Sequence, residues 1–161
     1  MFGHGLRRAL LLAVIASPAV ALPSEGAPIS EVVGRYFAVY AEREDFDALM
    51  SFYADHAVLE DMIYGHLAQD KASIREFLDW SLGDFSVVDG KPALVVRELV
   101  IDGNTAVAGG FFNRFIFQGR EMGPWRFVIW LAFHEDGKIV RHTDWINYTP
   151  RQEFLGGENL N

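Results

Sequence analysis

The sequence of 161 residues contains no cysteine. Its absence excludes disulfide bonds, thiolate nucleophiles and thiolate metal ligands. Positive charge is also scarce, because 14 lysines and arginines stand against 22 aspartates and glutamates, for a formal net charge of −8. A surface of that sign repels phosphate backbones and anionic lipids, so we expect neither nucleic acid nor a membrane as a partner.

Long apolar runs are missing too. The run from Ala9 to Ala16 is too short to span a bilayer, but it follows Arg7 and Arg8 and precedes the small residues of Ala19–Ala21. This order is typical of a cleaved export signal, so we expect residues 1–21 to be removed and the mature protein to be periplasmic or secreted. Loss of the two arginines would take the net charge from −8 to −10.

The composition that remains suits a folded domain. Half of all residues are hydrophobic and 14% are aromatic, which predicts one domain with a substantial core. We expect residues 22–28 to form a linker, 29–150 the domain and 151–161 a C-terminal tail.

Helical periodicity dominates the first half of this domain. Apolar residues at three- and four-residue spacing predict a first helix with Tyr36 in the middle of its buried stripe. Asp45 is predicted to cap a second, short helix that runs to Tyr53. Asp70 is predicted to open a third helix, which ends at Gly83.

Extended segments follow. One strand, 57–63, lies between the second and third helices and leads into a loop at 65–69, and the rest come after residue 85 with glycine at each turn. Three helices and a long antiparallel meander predict an α+β architecture in which a strongly bent sheet wraps around the helices. The later strands are predicted at 85–88, 93–101, 105–117, 125–134 and 138–148.

An acid stands among the apolar residues of strand 57–63. Leu59, Asp61 and Ile63 share one strand face, so Asp61 is predicted to point inward. There, burial would raise its pKa and suit it to exchanging protons near neutral pH. A register shifted by one residue would instead turn Glu60 inward and leave Asp61 in solvent.

Several segments resemble the nuclear transport factor 2-like superfamily, which includes SnoaL-like polyketide cyclases, ketosteroid isomerase, limonene epoxide hydrolase and scytalone dehydratase. The resemblance spans residues 32–148 and implies a cone-shaped α+β barrel, a small hydrophobic substrate or ligand, and no cofactor. It also implies a homodimer through the outer sheet face, where Val128 and Trp130 are expected. The segments are VVGRY at 32–36, FYADHAVLED at 52–61, SIREF at 73–77, FQGR at 117–120 and DGKI at 136–139.

The resemblance to ketosteroid isomerase assigns two roles. Asp61 matches the strand aspartate that shuttles a proton between substrate carbons, and Tyr36 matches the helix tyrosine that donates to the oxyanion. Ketosteroid isomerase is itself a known example of an enzyme in which apolar surroundings keep a carboxylic acid neutral. The family's second oxyanion donor falls at Ile129 here, so the two-donor arrangement is incomplete.

The resemblance to limonene epoxide hydrolase and the SnoaL-like cyclases adds Asp144, which matches their last-strand aspartate. Arg114 matches the hydrolase arginine, although Ile116 replaces the acid beside it. His142 shares a strand face with Asp144, so the two could form a coupled acid and base, with the histidine charging near the working pH. The same pair could be half of a metal site, but no third ligand is evident and we expect no metal.

Together these patterns predict an exported protein with an apolar pocket for a small cyclic, oxygen-bearing molecule. Asp61 would move a proton, Tyr36 and Arg114 would stabilise the oxyanion, and Asp144 with His142 would supply a second acid or base. Phe77 and Trp80 would form aromatic walls. One alternative is an epoxide hydrolase or dehydratase that uses Asp144 with Arg114 or His142; another is a non-catalytic ligand-binding module.

Overall fold

The computed structural model describes residues 27–146. The predicted signal peptide, most of the linker and the C-terminal tail lie outside this range and stay predictions. Three helices form from the expected stripes: α1 (Ile29–Glu42), α2 (Phe46–Ser51) and α3 (Lys71–Phe77). Within residues 27–146, no helix is both long and apolar enough to cross a membrane.

Aspartates cap the two short helices, as predicted. The side chain of Asp45 accepts a hydrogen bond from the Ala48 amide at 2.8 Å, and that of Asp70 accepts one from the Ser73 amide at 2.7 Å. Each bond satisfies an amide that would otherwise lack a partner in the first turn.

Between residues 27 and 146, nine strands form two sheets. The larger sheet has the order β2-β1-β9-β8-β5-β4 and the smaller one the order β3-β6-β7. All neighbours are antiparallel except β1 and β9, which run parallel. The strands are β1 (Tyr53–Asp61), β2 (His66–Ala68), β3 (Phe85–Val87), β4 (Leu94–Asp102), β5 (Thr105–Phe112), β6 (Phe115–Phe117), β7 (Arg120–Met122), β8 (Trp125–Phe133) and β9 (Ile139–Ile146).

The larger sheet curls around the helices, which confirms the predicted α+β class. Strand β8 shows the alternation most clearly, because Phe127, Ile129, Leu131 and Phe133 are buried while Val128 and Trp130 are 41% and 48% exposed. The buried residues of β8 join the apolar stripe of α1 in one core cluster. This core forms the closed part of the cone and leaves its wider part for a cavity.

Several details differ from the sequence predictions. Helix α2 ends at Ser51 instead of Tyr53, and the strand predicted at 57–63 is β1, Tyr53–Asp61. Strand β7 lies between two predicted strands. Helix α3 ends at Phe77 instead of Gly83, because the Asp79 carboxylate accepts a bond from the Ser81 amide and forms a turn there. The predicted strand 105–117 is divided into β5 and β6. The predicted loop 65–69 contains β2, which pairs with the end of β1.

Candidate functional site

A cavity of about 600 Å³ opens between the helices and the curled sheet. Its volume lies in the range typical of small-molecule sites. Most of its wall is aromatic or aliphatic, including Phe77, Trp80 and Phe112. Three carboxylates stand in this apolar wall, Asp61, Asp79 and Asp144, and of these Asp61 and Asp144 are buried. The cavity therefore combines an apolar interior with titratable groups.

The parallel pairing of β1 with β9 brings the two acids together. Asp61 is the direct register partner of Asp144, and the two residues are only 2% and 3% exposed. Glu60, by contrast, faces outward and pairs with Arg141 at 2.8 Å. The inward register anticipated for Asp61 is therefore the one that the strand adopts.

The Asp61 carboxylate is held by backbone amides. Its Oδ1 accepts hydrogen bonds from the amides of Ile63 at 2.8 Å and Tyr64 at 3.1 Å, where the chain turns after β1. Amide donors stabilise the charged form of a carboxylate. These two bonds hold the Asp61 carboxylate in place at the cavity wall.

Asp144 has the opposite environment. Burial, and next the charge of Asp61, raise its pKa from 3.8 to about 7. Its Oδ1 is buried and has no hydrogen-bond partner among residues 27–146. Asp144 therefore exchanges a proton near neutral pH and has an acceptor oxygen that no described protein group occupies.

Behind Asp144 lies a buried chain of polar groups. The Tyr36 hydroxyl is 3.0 Å from that of Tyr53, which in turn is 2.8 Å from Nδ1 of His142. Nε2 of His142 lies 3.8 Å from Oδ2 of Asp144, beyond hydrogen-bond range. This buried chain therefore ends near Asp144 without a hydrogen bond to it.

Comparison with known proteins is consistent with this geometry. Residues 33–142, most of the chain, match the family model for the SnoaL-like domain. The chain belongs to the SnoaL-like domain family. Comparison with curated proteins finds no match.

Solved structures share the SnoaL-like fold at low sequence identity. A candidate SnoaL-like polyketide cyclase from Shewanella putrefaciens is 16% identical with a TM-score of 0.62, covering 74% of this chain and 90% of its own. An LEH-like epoxide hydrolase from M. tuberculosis is 14% identical with a TM-score of 0.58, and the match covers 74% of this chain and 82% of the hydrolase. A candidate ketosteroid isomerase from Kribbella flavida is 19% identical with a TM-score of 0.55, and the match covers 79% of this chain and 87% of the isomerase. At these identities the likeness shows the fold and not the activity.

In this SnoaL-like protein the tyrosine of helix α1 that lines the cavity is Tyr40. Tyr36 is fully buried against Tyr53 and does not line the cavity, whereas Tyr40 lies one helical turn later and does. Burial raises the pKa of Tyr40 to about 12, so its hydroxyl keeps a proton to donate. Both tyrosines belong to the apolar stripe of α1, and the sequence pattern does not indicate at which of them the cavity opens.

Arg114 and His142 also differ from their predicted roles. Arg114 lies outside the cavity, where its guanidinium pairs with Glu121 at 2.8 Å and is 54% exposed. His142 is fully buried outside the cavity wall, and burial lowers its pKa to about 3, so it stays neutral instead of charging near the working pH. Phe77 and Trp80 line the cavity as predicted.

No cluster of three or more acidic or histidine ligands suited to a metal ion occurs within the described part of the chain. Two charged residues that the sequence analysis did not select also line the cavity, namely Arg43 and Asp79. The position of Arg43 after the end of α1, in a run of four charged residues, is typical of a solvated helix end. Only the folded structure shows that it turns inward.

Proposed function

We propose that this SnoaL-like protein is a cofactor-free acid–base catalyst for a small cyclic ketone or enone, with Asp144 as the group that carries the proton. The observation that supports it is the pair Asp144 and Asp61 in one apolar cavity, with the pKa of Asp144 raised to about 7. A carboxyl group titrating near the working pH can both accept and return a proton.

The proposed reaction is an isomerisation. Ionised Asp144 removes a proton from the carbon beside the substrate carbonyl, and the electrons of that C–H bond move to the carbonyl oxygen as an enolate. The Tyr40 hydroxyl donates a hydrogen bond to that oxygen. Neutral Asp144 then returns the same proton to a different carbon, and the carbonyl re-forms. A cyclase would use the enolate carbon to attack a second carbonyl of the substrate.

Asp61 has a different role in this scheme from the proton shuttle that the resemblance to ketosteroid isomerase assigned to it. Burial raises the pKa of Asp144, the charge of Asp61 raises it further, and Asp144 is the proton shuttle. Both acids point into the same space, so the exchange of roles leaves the chemistry unchanged. The hydrolase alternative loses support because Arg114 pairs with Glu121 outside the cavity.

The purified protein is expected to convert cyclohex-3-enone into the conjugated cyclohex-2-enone. The rise in ultraviolet absorbance measures the conversion, and NMR in deuterated water measures exchange at the carbon beside the carbonyl. Turnover that incorporates labelled oxygen from solvent would point to a hydrolase instead. Neither conversion nor deuterium exchange with a panel of cyclic ketones and enones would favour a non-catalytic binding module.

Export and dimerisation also belong to the proposal. Two observations support them: the signal-like residues 1–21, and the half-exposed Val128 and Trp130 on the outer face of β8. Such a patch is typical of an interaction surface. N-terminal sequencing of the protein recovered from a periplasmic extract tests export, and a monomer mass by light scattering would contradict the dimer.

A further inference from the structure

Arg43 follows the last residue of α1 and lines the cavity. Its backbone is left-handed, with φ of 54°, and its amide donates to the Val39 carbonyl at 3.0 Å. Glycine or asparagine usually occupies such a cap, because other side chains are strained there. The position turns the arginine back over the cavity instead of out into solvent.

Aromatic rings hold the guanidinium in place. Its carbon lies 5.1 Å from the ring centre of Trp80 and 4.3 Å from that of Phe85. Stacking of this kind uses the flat face of the guanidinium and leaves the N–H groups at its edge for other partners. Arg43 is therefore fixed in orientation without its donors being consumed by the rings.

This cation has no protein counter-ion within residues 27–146. Ion pairs within 4.0 Å join Arg75 to Asp47, Arg114 to Glu121 and Arg141 to Glu60, but none involves Arg43. Burial lowers the pKa of Arg43, yet arginine remains charged at neutral pH. A half-buried charge without a counter-ion is costly, and an anionic ligand would offset that cost.

A second donor beside Arg43 also lacks a partner. The indole Nε1 of Trp80 is buried and makes no hydrogen bond with any described residue. Trp80 stacks on Tyr40 with ring centres 5.9 Å apart, and both residues line the cavity. Asp79, the acid next in sequence, directs its Oδ1 to the Ser81 amide.

We propose that Arg43 and the indole N–H of Trp80 form a carboxylate subsite, so that the substrate is an apolar ring or chain ending in a carboxylate. The inference rests on the proposed function only in treating the cavity as the substrate site. Tyr40, Arg43 and Asp144 all line the same cavity. Arg43 attracts an anion and Asp61 repels it, so the substrate binds in one orientation.

The purified protein is expected to bind cyclohexanecarboxylate at least about tenfold more tightly than neutral cyclohexanecarboxamide, measured by calorimetry near pH 6. Arg43→Gln should remove that preference and Arg43→Lys should retain part of it. Arg97→Gln is the matched control, because Arg97 also stacks on an aromatic ring, Phe111 at 5.3 Å, but does not line the cavity. This control should keep the full preference.

If the wild-type protein fails to prefer the carboxylate, or if Arg43→Gln keeps the preference, the subsite is wrong. A second measurement on the wild-type protein covers a variant that does not fold. The Nε1–H NMR signal of Trp80, assigned with Trp80→Phe, should shift with the carboxylate and not with the amide; a signal unmoved by both contradicts the proposal. Because binding needs no turnover, the preference for the carboxylate is measured independently of catalysis, and its failure is distinguishable from failure of the catalytic proposal.

Discussion

Replacing Asp144 with asparagine should reduce the turnover of cyclohex-3-enone by about a hundred- to ten-thousand-fold, the usual contribution of a general acid–base group. Asparagine has nearly the same shape but cannot accept or return a proton. Ligand affinity should therefore change much less than kcat. The measurement is the initial rate of conjugated-enone formation, compared at saturating substrate.

Glu60→Gln provides the control for this variant. Glu60 lies on β1 next to Asp61 but faces outward, so loss of its charge leaves the cavity unchanged. Its turnover should stay within about twofold of the wild-type value. If Asp144→Asn retains activity while Asp61→Asn loses it, Asp61 is the proton shuttle and the assignment proposed above is reversed.

The second large effect is on stability. The pKa of Asp144 is about 7 in the folded protein, whereas the ordinary value for an aspartate, 3.8, applies to the unfolded chain. Between these two pH values the folded state holds a proton that the unfolded state has released. The stabilisation that this proton provides is complete below the default value and is lost as pH rises through 7. At 1.36 kcal/mol per pKa unit the loss amounts to about 4 kcal/mol.

Asp144→Asn carries no such penalty, because asparagine stays neutral. Relative to wild type, its Tm should rise between pH 5 and pH 8 by about 10 °C, at roughly 4 °C for each kcal/mol. The difference between the two proteins is the quantity to measure, since His142 contributes an opposite trend at acid pH in both. A Tm difference that stays constant from pH 5 to pH 8 would contradict the raised pKa.

These two effects have one physical origin. The environment that makes Asp144 useful, an apolar wall and a neighbouring negative charge, is also what makes its ionised form costly. The variant that loses activity should therefore gain stability at alkaline pH. Such opposition is common where a fold maintains a strained site for chemistry.

The sequence was sufficient for the fold and for the acids. Glycine-rich turns and a change from helical to alternating periodicity predicted the α+β class, because local patterns determine where helices and strands form. The alternation along β1 placed Asp61 on an inward face, and the resemblance to the epoxide hydrolase and the cyclases assigned Asp144 to the site. Their direct pairing was not predictable, since it depends on the parallel register of two strands about 80 residues apart in sequence.

The remaining site residues depend on three-dimensional features. The chain moves from the large sheet to the small one at Asn113, whose amide bonds to the Ala93 carbonyl at 2.9 Å, so alternation is interrupted just before Arg114. The stripe of α1 is apolar throughout and gives no sign that the cavity opens at Tyr40 instead of Tyr36. The turn of the Arg43 side chain towards the cavity depends on the left-handed backbone conformation of Arg43 itself.

The most direct test is a carbon NMR titration of the aspartate carboxyl groups, with Asp144 assigned by its absence in Asp144→Asn. One carboxyl signal should titrate near pH 7 in the wild-type protein and move to lower pH in Asp61→Asn, because the charge of Asp61 helps to raise it. If every aspartate carboxyl group titrates below about pH 5, the cavity does not hold a proton-exchanging acid and the proposed mechanism is wrong.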